Sequence, residues 1–379
     1  VALFSDDDRR HDSESEIGRT SPPRSVVIGW VLLGVAFVLA LCLALVPAPY
    51  VIEQPGPAFN TLATDHVVGQ PASTGAKPLI TIPGQKTYPT SGALDLLTVS
   101  VVGNPQALPS WMEVASAWFD PSKAVLPVDA VYPPGQTSQQ SDKANQTLMI
   151  DSQKDAIAAA LNKLGYHFPQ AVAVKQVATG YPAVGVLKVG DEIVSVNGKP
   201  VAGVQSLRDA LAKNGVAKPA QIGIVRAQAP QTVTITPVKS GTSAVLGIGV
   251  GMDYTFPFTV SIQLNNVGGP SAGQMFALGI IDKLTPGSLN GGKKVAGTGT
   301  IDNEGNVGAI GGIRQKMFAA RGAGATWFLA PSSNCDEVTG HIPGGLRVVA
   351  VKTLDNSLAA LKAISTGANT ASLPSCPVG

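Results

Sequence analysis

The stretch Asn265-Asn266-Val267-Gly268-Gly269-Pro270-Ser271-Ala272-Gly273 decides how the rest of this 379-residue chain is read. Small residues crowd one serine, and the residues that follow, Met275, Phe276, Leu278, Ile280 and Ile281, are apolar on most sides of a helix. Such a helix is buried. Pro270 suits the first helical turn, so Ser271 is expected at a buried helix N-terminus. Unpaired backbone N–H groups and the positive end of the helix dipole favour a developing oxyanion there, and Gly268 and Gly269 let a second backbone come close.

A serine in this position needs a base. The histidines are His11, His66, His167 and His341, and His11 precedes the apolar stretch of Val26 to Val46, which sets it on the other side of a membrane from Ser271. A lysine can serve when burial leaves its amine neutral. In Ala309-Ile310-Gly311-Gly312-Ile313-Arg314-Gln315-Lys316-Met317-Phe318-Ala319-Ala320, a Gly-Gly turn opens a short helix that Gly322 closes. Lys316 lies there among Ile313, Met317 and Ala320. Lysines on helices usually reach solvent, so this segment gains weight only together with Ser271.

Upstream, Tyr166 to Ser240 alternates strands with one helix. Ala171 to Val177 is predicted as a strand, Leu187 to Gly198 holds a Gly-Asp turn, an alternating strand and an Asn-Gly hairpin signal, and Val204 to Ala212 is a short amphipathic helix. Gln221 to Arg226 and Thr232 to Val238 alternate again. The run L-K-V-G-D-E-I-V-S-V-N-G-K-P-V, preceded by G-Y-P-A and followed by S-L-R-D-A-L, resembles a bacterial PDZ domain. That resemblance implies a groove beside the Val204 helix that takes an extended peptide by strand addition. Its carboxylate-holding loop is expected near Leu164, Gly165 and Tyr166. Ser152 and Asp155 form an S-x-x-D capping pattern, which predicts a helix from Ser152 to Leu164. Pro133 to Gln140 has loop composition, and Leu94 to Val102 reads as a strand within a region, 47–150, that suggests no known fold.

From about Gly247 to Ile364 the chain resembles the proteolytic domain of the Lon family, in its ATPase-free, PDZ-bearing, membrane-anchored bacterial branch. The motifs are G-P-S-A-G around Ser271, K-L-T-P-G-S-L-N-G-G-K-K-V-A-G-T-G-T-I from Lys283 to Ile301, D-N-E-G-N-V-G from Asp302 to Gly308, and I-G-G-I-R-Q-K ending at Lys316. The resemblance implies Ser271 as nucleophile, Lys316 as base and Thr298 as the hydroxyl that bonds the lysine. It also leaves two oligomeric states open: a homo-oligomer, because Lon proteolytic domains form rings, and a tethered single-pass chain that is monomeric until substrate arrives.

Lys+Arg 27 against Asp+Glu 25 gives a net charge of +2, and no basic block with interleaved aromatics occurs, so no nucleic-acid partner is expected. Val26 to Val46 carries no charged side chain and is long enough to span a bilayer; the alternative is a cleaved signal peptide, against which stand its length and Pro49 after the small-residue site Val46-Pro47-Ala48. Arg9, Arg10, Arg19 and Arg24 precede it and no Lys or Arg follows before Lys77, which predicts an N-terminus inside and the bulk outside. Cys42 falls in the span, which leaves Cys335 and Cys376 as a candidate disulfide. No metal-ligand spacing and no cofactor motif is found; Gly287 to Lys294 mimics a phosphate loop but has Lys294 where Ser or Thr is needed.

The sequence thus predicts an α+β multidomain chain: a tail over 1–25, a transmembrane helix over 26–46, a membrane-proximal region over 47–165, a PDZ-like domain over 166–240, a Lon-like proteolytic domain over 241–368 and a C-terminal tail over 369–379. The expected activity is ATP-independent serine endopeptidase action on extracytoplasmic proteins or peptides. Two alternatives stand beside it. One is a catalytically silent PDZ scaffold in the membrane; the other is an esterase, since G-P-S-A-G also satisfies G-x-S-x-G and His341 follows it.

Overall fold

The structure is a computed structural model that describes residues 23–71, 75–135, 137–264 and 267–377. Most of the tail expected over 1–25, including Arg9, Arg10 and Arg19, lies outside the described residues. Helix α1 (Arg24–Leu45) buries none of its side chains and is long and apolar enough to cross a membrane. After it come β1 (Tyr50–Asn60), β2 (Ile80–Thr81), β3 (Ala93–Val102), α2 (Trp111–Trp118), β4 (Ala124–Pro127), α3 (Val128–Val131) and α4 (Ser138–Lys163). The next group is β5 (Gln170–Val177), β6 (Glu192–Val196), β7 (Lys199–Pro200), α5 (Val204–Asn214), β8 (Ala220–Arg226), β9 (Ala229–Ile235), β10 (Val238–Ser240), β11 (Ser243–Val245) and β12 (Ile248–Tyr254). The last is β13 (Ser261–Ile262), α6 (Gly273–Leu284), β14 (Lys294–Gly297), β15 (Thr300–Ile301), β16 (Val307–Gly308), α7 (Ile313–Gly322), β17 (Trp327–Pro331), α8 (Cys335–Val338), β18 (Arg347–Val351) and α9 (Leu354–Thr366).

Two sheets organise the chain. The first has the order β18-β17-β14-β3-β1-β4, parallel from β18 to β3 and antiparallel from β3 to β4. Its strands come from both 50–127 and 294–351, so the region 47–165 shares a sheet with the proteolytic segment and does not stand as a unit of its own. Leu94 and Leu96 pack in one core with Met275 and Phe276 of α6, Ala156 and Ala160 of α4 and Leu361 of α9. Ala58, Leu97 and Ala296 pack in another with Ile313, Met317 and Ala320 of α7. Helices α6 and α7 therefore cover different faces of one sheet.

The second sheet, β12-β5-β6-β8-β9 with β7 on β6, encloses its own core with α5. Asn197 and Gly198, at φ 51 and 75°, make the predicted Asn-Gly hairpin between β6 and β7. The helix predicted from Ser152 is in fact α4, which begins fourteen residues earlier with a Thr137–Gln140 capping box inside the predicted loop. Ser152 and Asp155 have tertiary partners instead: Ser152 Oγ donates to the Pro270 carbonyl, and the Tyr254 hydroxyl donates to Asp155. Between Thr255 and Gln263 only Ser261 and Ile262 form a strand; Phe256 packs with Tyr254 and Phe168, and Phe258 packs edge-on to Tyr166. Cys335 and Cys376 are disulfide-bonded, and the Ala350 amide donates to the Pro374 carbonyl, so the C-terminal segment is fastened to the sheet and is not a free tail.

Candidate active site

Strand β14 ends at Gly297, opposite Leu96, whereas β3 continues to Val102. A gap opens in the sheet where β14 stops. The start of α6 and the second turn of α7, from the two faces, meet across that gap. Ser271 Oγ and Lys316 Nζ are 2.7 Å apart, and Nζ also donates to Thr298 Oγ1 at 3.2 Å. Thr298 follows directly on β14; its hydroxyl donates to the Ser271 carbonyl at 2.9 Å, and the Gly299 amide donates to the same carbonyl at 2.9 Å. The structure thus brings together three residues singled out in the sequence, Ser271, Thr298 and Lys316.

Lys316 is only 3% exposed. Burial lowers its pKa from 10.5 to about 7, against a smaller opposing pull from the Glu53 carboxylate. Glu53 itself is raised by burial, partly offset by Lys316, with Glu337 adding to the rise. Helix α7 starts at Gly312, at φ 66°, where an added Cβ would meet Val99 at 2.6 Å. Only glycine fits that turn, and it sets Lys316 into the gap.

Ser271 precedes α6 by two residues, with Ala272 at the N-cap. Gly268 and Gly269 do lie beside it, but the Gly269 amide donates to the Asn145 carbonyl at 2.8 Å and so is not available to an oxyanion. Among the described residues the Ser271 and Ala272 amides make no hydrogen bond. A Cβ on Gly268 would approach Asn145 Cβ at 2.8 Å, which shows how tightly α4 grips this loop. No local pattern ties Asn145, Ser152 or Glu53 to Ser271, and the S-x-x-D pattern at Ser152 points only to a helix cap; long-range packing brings all three to the site.

Ser271 lies between two depressions. One, of about 450 Å³, is lined by Glu53, Leu96, Thr98, Met149, Val267 and Lys316, among others. The other, of about 350 Å³, is lined by Thr300, Ile310, Gly311, Asn334 and Glu337. The first continues into a groove of about 1320 Å³ between β3 and α4, past Val99, Val101, Asn145 and Ile150. His341 is placed by its Nδ1 contact to the Thr339 carbonyl, and the basic group beside Ser271 is Lys316.

Leu164, Gly165 and Tyr166 do not border the α5 groove. Leu164 caps α4, the Tyr166 amide returns to the Leu161 carbonyl, and the Tyr166 ring packs edge-on to Phe258. The outer edge of the second sheet belongs to β12, which covers β5 along its length. In Leu246-Gly247-Ile248-Gly249 the first two residues lead into β12 and the last two open it, and a Cβ on Gly247 would strike Tyr181 at 1.9 Å. This alternation of apolar residues and glycines was the signal available in the sequence.

Residues 266–363 match the Lon protease (S16) C-terminal proteolytic domain. Residues 142–236 match the PDZ domain, a stretch that ends before β12. The chain therefore carries the proteolytic domain of the Lon protease family together with a PDZ domain. It is 37% identical over 93 residues to a Lon protease of Clostridioides difficile, covering 24% of this chain and 12% of that protein. It is 40% identical over 93 residues to Lon protease 2 of Herpetosiphon aurantiacus, covering 24% and 11%. The chain thus spans a small part of the length of these relatives. The PDZ domain of the SdrC-like protein from Listeria monocytogenes is similar at 22% identity, covering 21% of this chain and 86% of that one, with a TM-score of 0.20.

Proposed function

We propose that this chain is a membrane-anchored serine endopeptidase in which Lys316 is the base for Ser271. The carrying observation is the 2.7 Å approach of a buried amine, with its pKa brought down to about 7, to the serine hydroxyl. A neutral amine has one lone pair and two N–H bonds. The N–H toward Thr298 fixes the head, and the lone pair takes the Ser271 proton as Oγ attacks a peptide carbonyl. The resulting oxyanion faces the Ser271 and Ala272 amides at the start of α6. The ammonium of Lys316 then protonates the leaving amine, and water, deprotonated by the same amine, releases the acyl group.

The substrate is an extended polypeptide. Past Leu96, β3 has β1 on one side and, among the described residues, no strand on the other, so Leu97 to Val102 offers backbone groups to a substrate along the groove that leads to Ser271. The edge of β12 beside α5, unpaired among the described residues, offers a second strand-addition site, with Leu246 and Gly247 just ahead of it as the carboxylate-holding turn. Helix α1 crosses the membrane with its N-terminus inside, which places both sites on extracytoplasmic proteins and away from ATP.

The test uses the full chain in phosphatidylcholine vesicles, an unfolded protein as substrate and no nucleotide. Wild type cleaves it, and Ser271→Ala and Lys316→Ala do not. Cleavage retained in either variant defeats the dyad; no cleavage by wild type with no Ser271 labelling favours a silent scaffold.

A further inference from the structure

The apolar side chains left uncovered next to α1 follow a pattern. Helix α2 buries Val114 and Ala117 against Ala48 and Ile52. Glu113 and Ser116 form its polar side, with Glu113 drawn back to Ser110 by the capping box. In helical projection the remaining arc holds Met112, Trp118 and, at the C-cap, Phe119, and these are 47, 59 and 89% exposed. This arc carries no charged residue. Half-buried Trp111 flanks it and packs edge-on to Tyr50, ring centroids 5.8 Å apart.

The position of this face identifies what covers it. The Trp111 amide donates to the Val46 carbonyl at 3.3 Å, the Ala48 amide donates to the Pro109 carbonyl at 2.8 Å, and Pro47 pairs with Ser110. The first residue of α2 is therefore one hydrogen bond from the end of the apolar helix. At about 1.5 Å per residue, the whole of α2 lies within roughly 12 Å of that end. This is the depth at which tryptophan is favoured, with its ring among acyl chains and its N–H among headgroups.

We propose that Met112, Trp118 and Phe119 form an interfacial foot that rests in the headgroup–acyl boundary of the bilayer crossed by α1. This inference rests on the reading of α1 as a membrane span. Two contacts, a span and a foot, restrain the rotation and tilt of the first sheet, because β1 leaves the foot at Tyr50 and reaches Glu53 in the cleft three residues later.

The experiment is tryptophan quenching in the full chain, reconstituted into phosphatidylcholine vesicles whose acyl chains are brominated near the glycerol end. Trp30 lies within α1 and reports the span; Trp118 reports the foot. With wild type, shallow bromine quenches a component that Trp118→Phe removes, and Trp118 emission falls roughly twofold on going from plain to brominated lipid. Phe119→Asp alters an exposed side chain, so it keeps the thermal melt and loses that component. Loss of quenching in Trp30→Phe but not in Trp118→Phe overturns the foot and keeps the span. Quenching unaffected by either variant overturns both. Trp118 unquenched by lipid but shielded from aqueous acrylamide assigns the face to a second copy of the chain and also overturns the proposal.

Discussion

The Ser152 hydroxyl donates to the Pro270 carbonyl at 2.9 Å across 118 residues of sequence. One turn of α4 and the loop before Ser271 are thereby held in register, and the Asn145 carbonyl repeats the clamp by accepting from the Gly269 amide. Ser152→Ala frees one side of that clamp. Misplacement of a reacting group by a fraction of an ångström costs rate more than binding, so turnover is expected to fall about tenfold with KM nearly unchanged. Steady-state kinetics beside a thermal melt checks this; unaltered turnover shows that Asn145 alone positions the loop.

Glu53 is the carboxylate that favours the ammonium form of Lys316. Glu53→Gln removes that pull while burial remains, so the amine loses its proton at lower pH. The acid limb of the pH–activity profile should move below about 7, the wild-type value. A limb that moves upward instead contradicts the placement of Glu53.

Lys316 also sets a stability trend. Its pKa is 10.5 when free and about 7 when folded, so between these values the unfolded chain binds the extra proton and stability rises with pH. Below about 7 the penalty is complete. Lys316→Met removes it, and the variant, though inactive, should melt at a higher temperature than wild type at pH 7, with the gain shrinking toward pH 10.5. A lower melting temperature at pH 7 contradicts a penalised amine.

The disulfide between Cys335 and Cys376 closes a loop of 41 residues. Closing such a loop stabilises by about 4 kcal/mol if the effect is chain entropy alone. Cys376→Ser should lower the melting temperature, and reductant should then have no further effect. Asn334, next to Cys335, holds both the amide and the carbonyl of Ile310 in the wall of the cleft, so some activity is lost as well.

What the sequence revealed followed from the range of the interactions. Ser271 and Lys316 were legible because small residues and an apolar-flanked lysine are local signals that match a known proteolytic domain. The Cys335–Cys376 pair was legible because only two cysteines remained outside the apolar span. The sheet that positions the dyad was not, since β3 pairs with β14 across about two hundred residues and nothing in either strand names its partner. The local S-x-x-D pattern predicts a helix cap at Ser152, whereas its hydroxyl donates to the Pro270 carbonyl far along the chain. The carboxylate-holding loop is expected near Leu164 to Tyr166, just ahead of β5, but β12, which arrives about seventy residues later, pairs along β5 and forms that edge of the sheet.

At the centre of the proposed mechanism, Lys316 loses its proton through an ionisation at about 7, and the neutral amine takes the proton of Ser271. The most direct measurement is the rate at which a fluorophosphonate labels Ser271 as a function of pH, in wild type and in Lys316→Met. The expected result is a rate that rises through a single ionisation at about 7 in wild type and falls at least a hundredfold, without that ionisation, in the variant. Equal labelling in the two proteins, or a wild-type rate that rises only toward pH 10.5, the value of a free lysine, would contradict it.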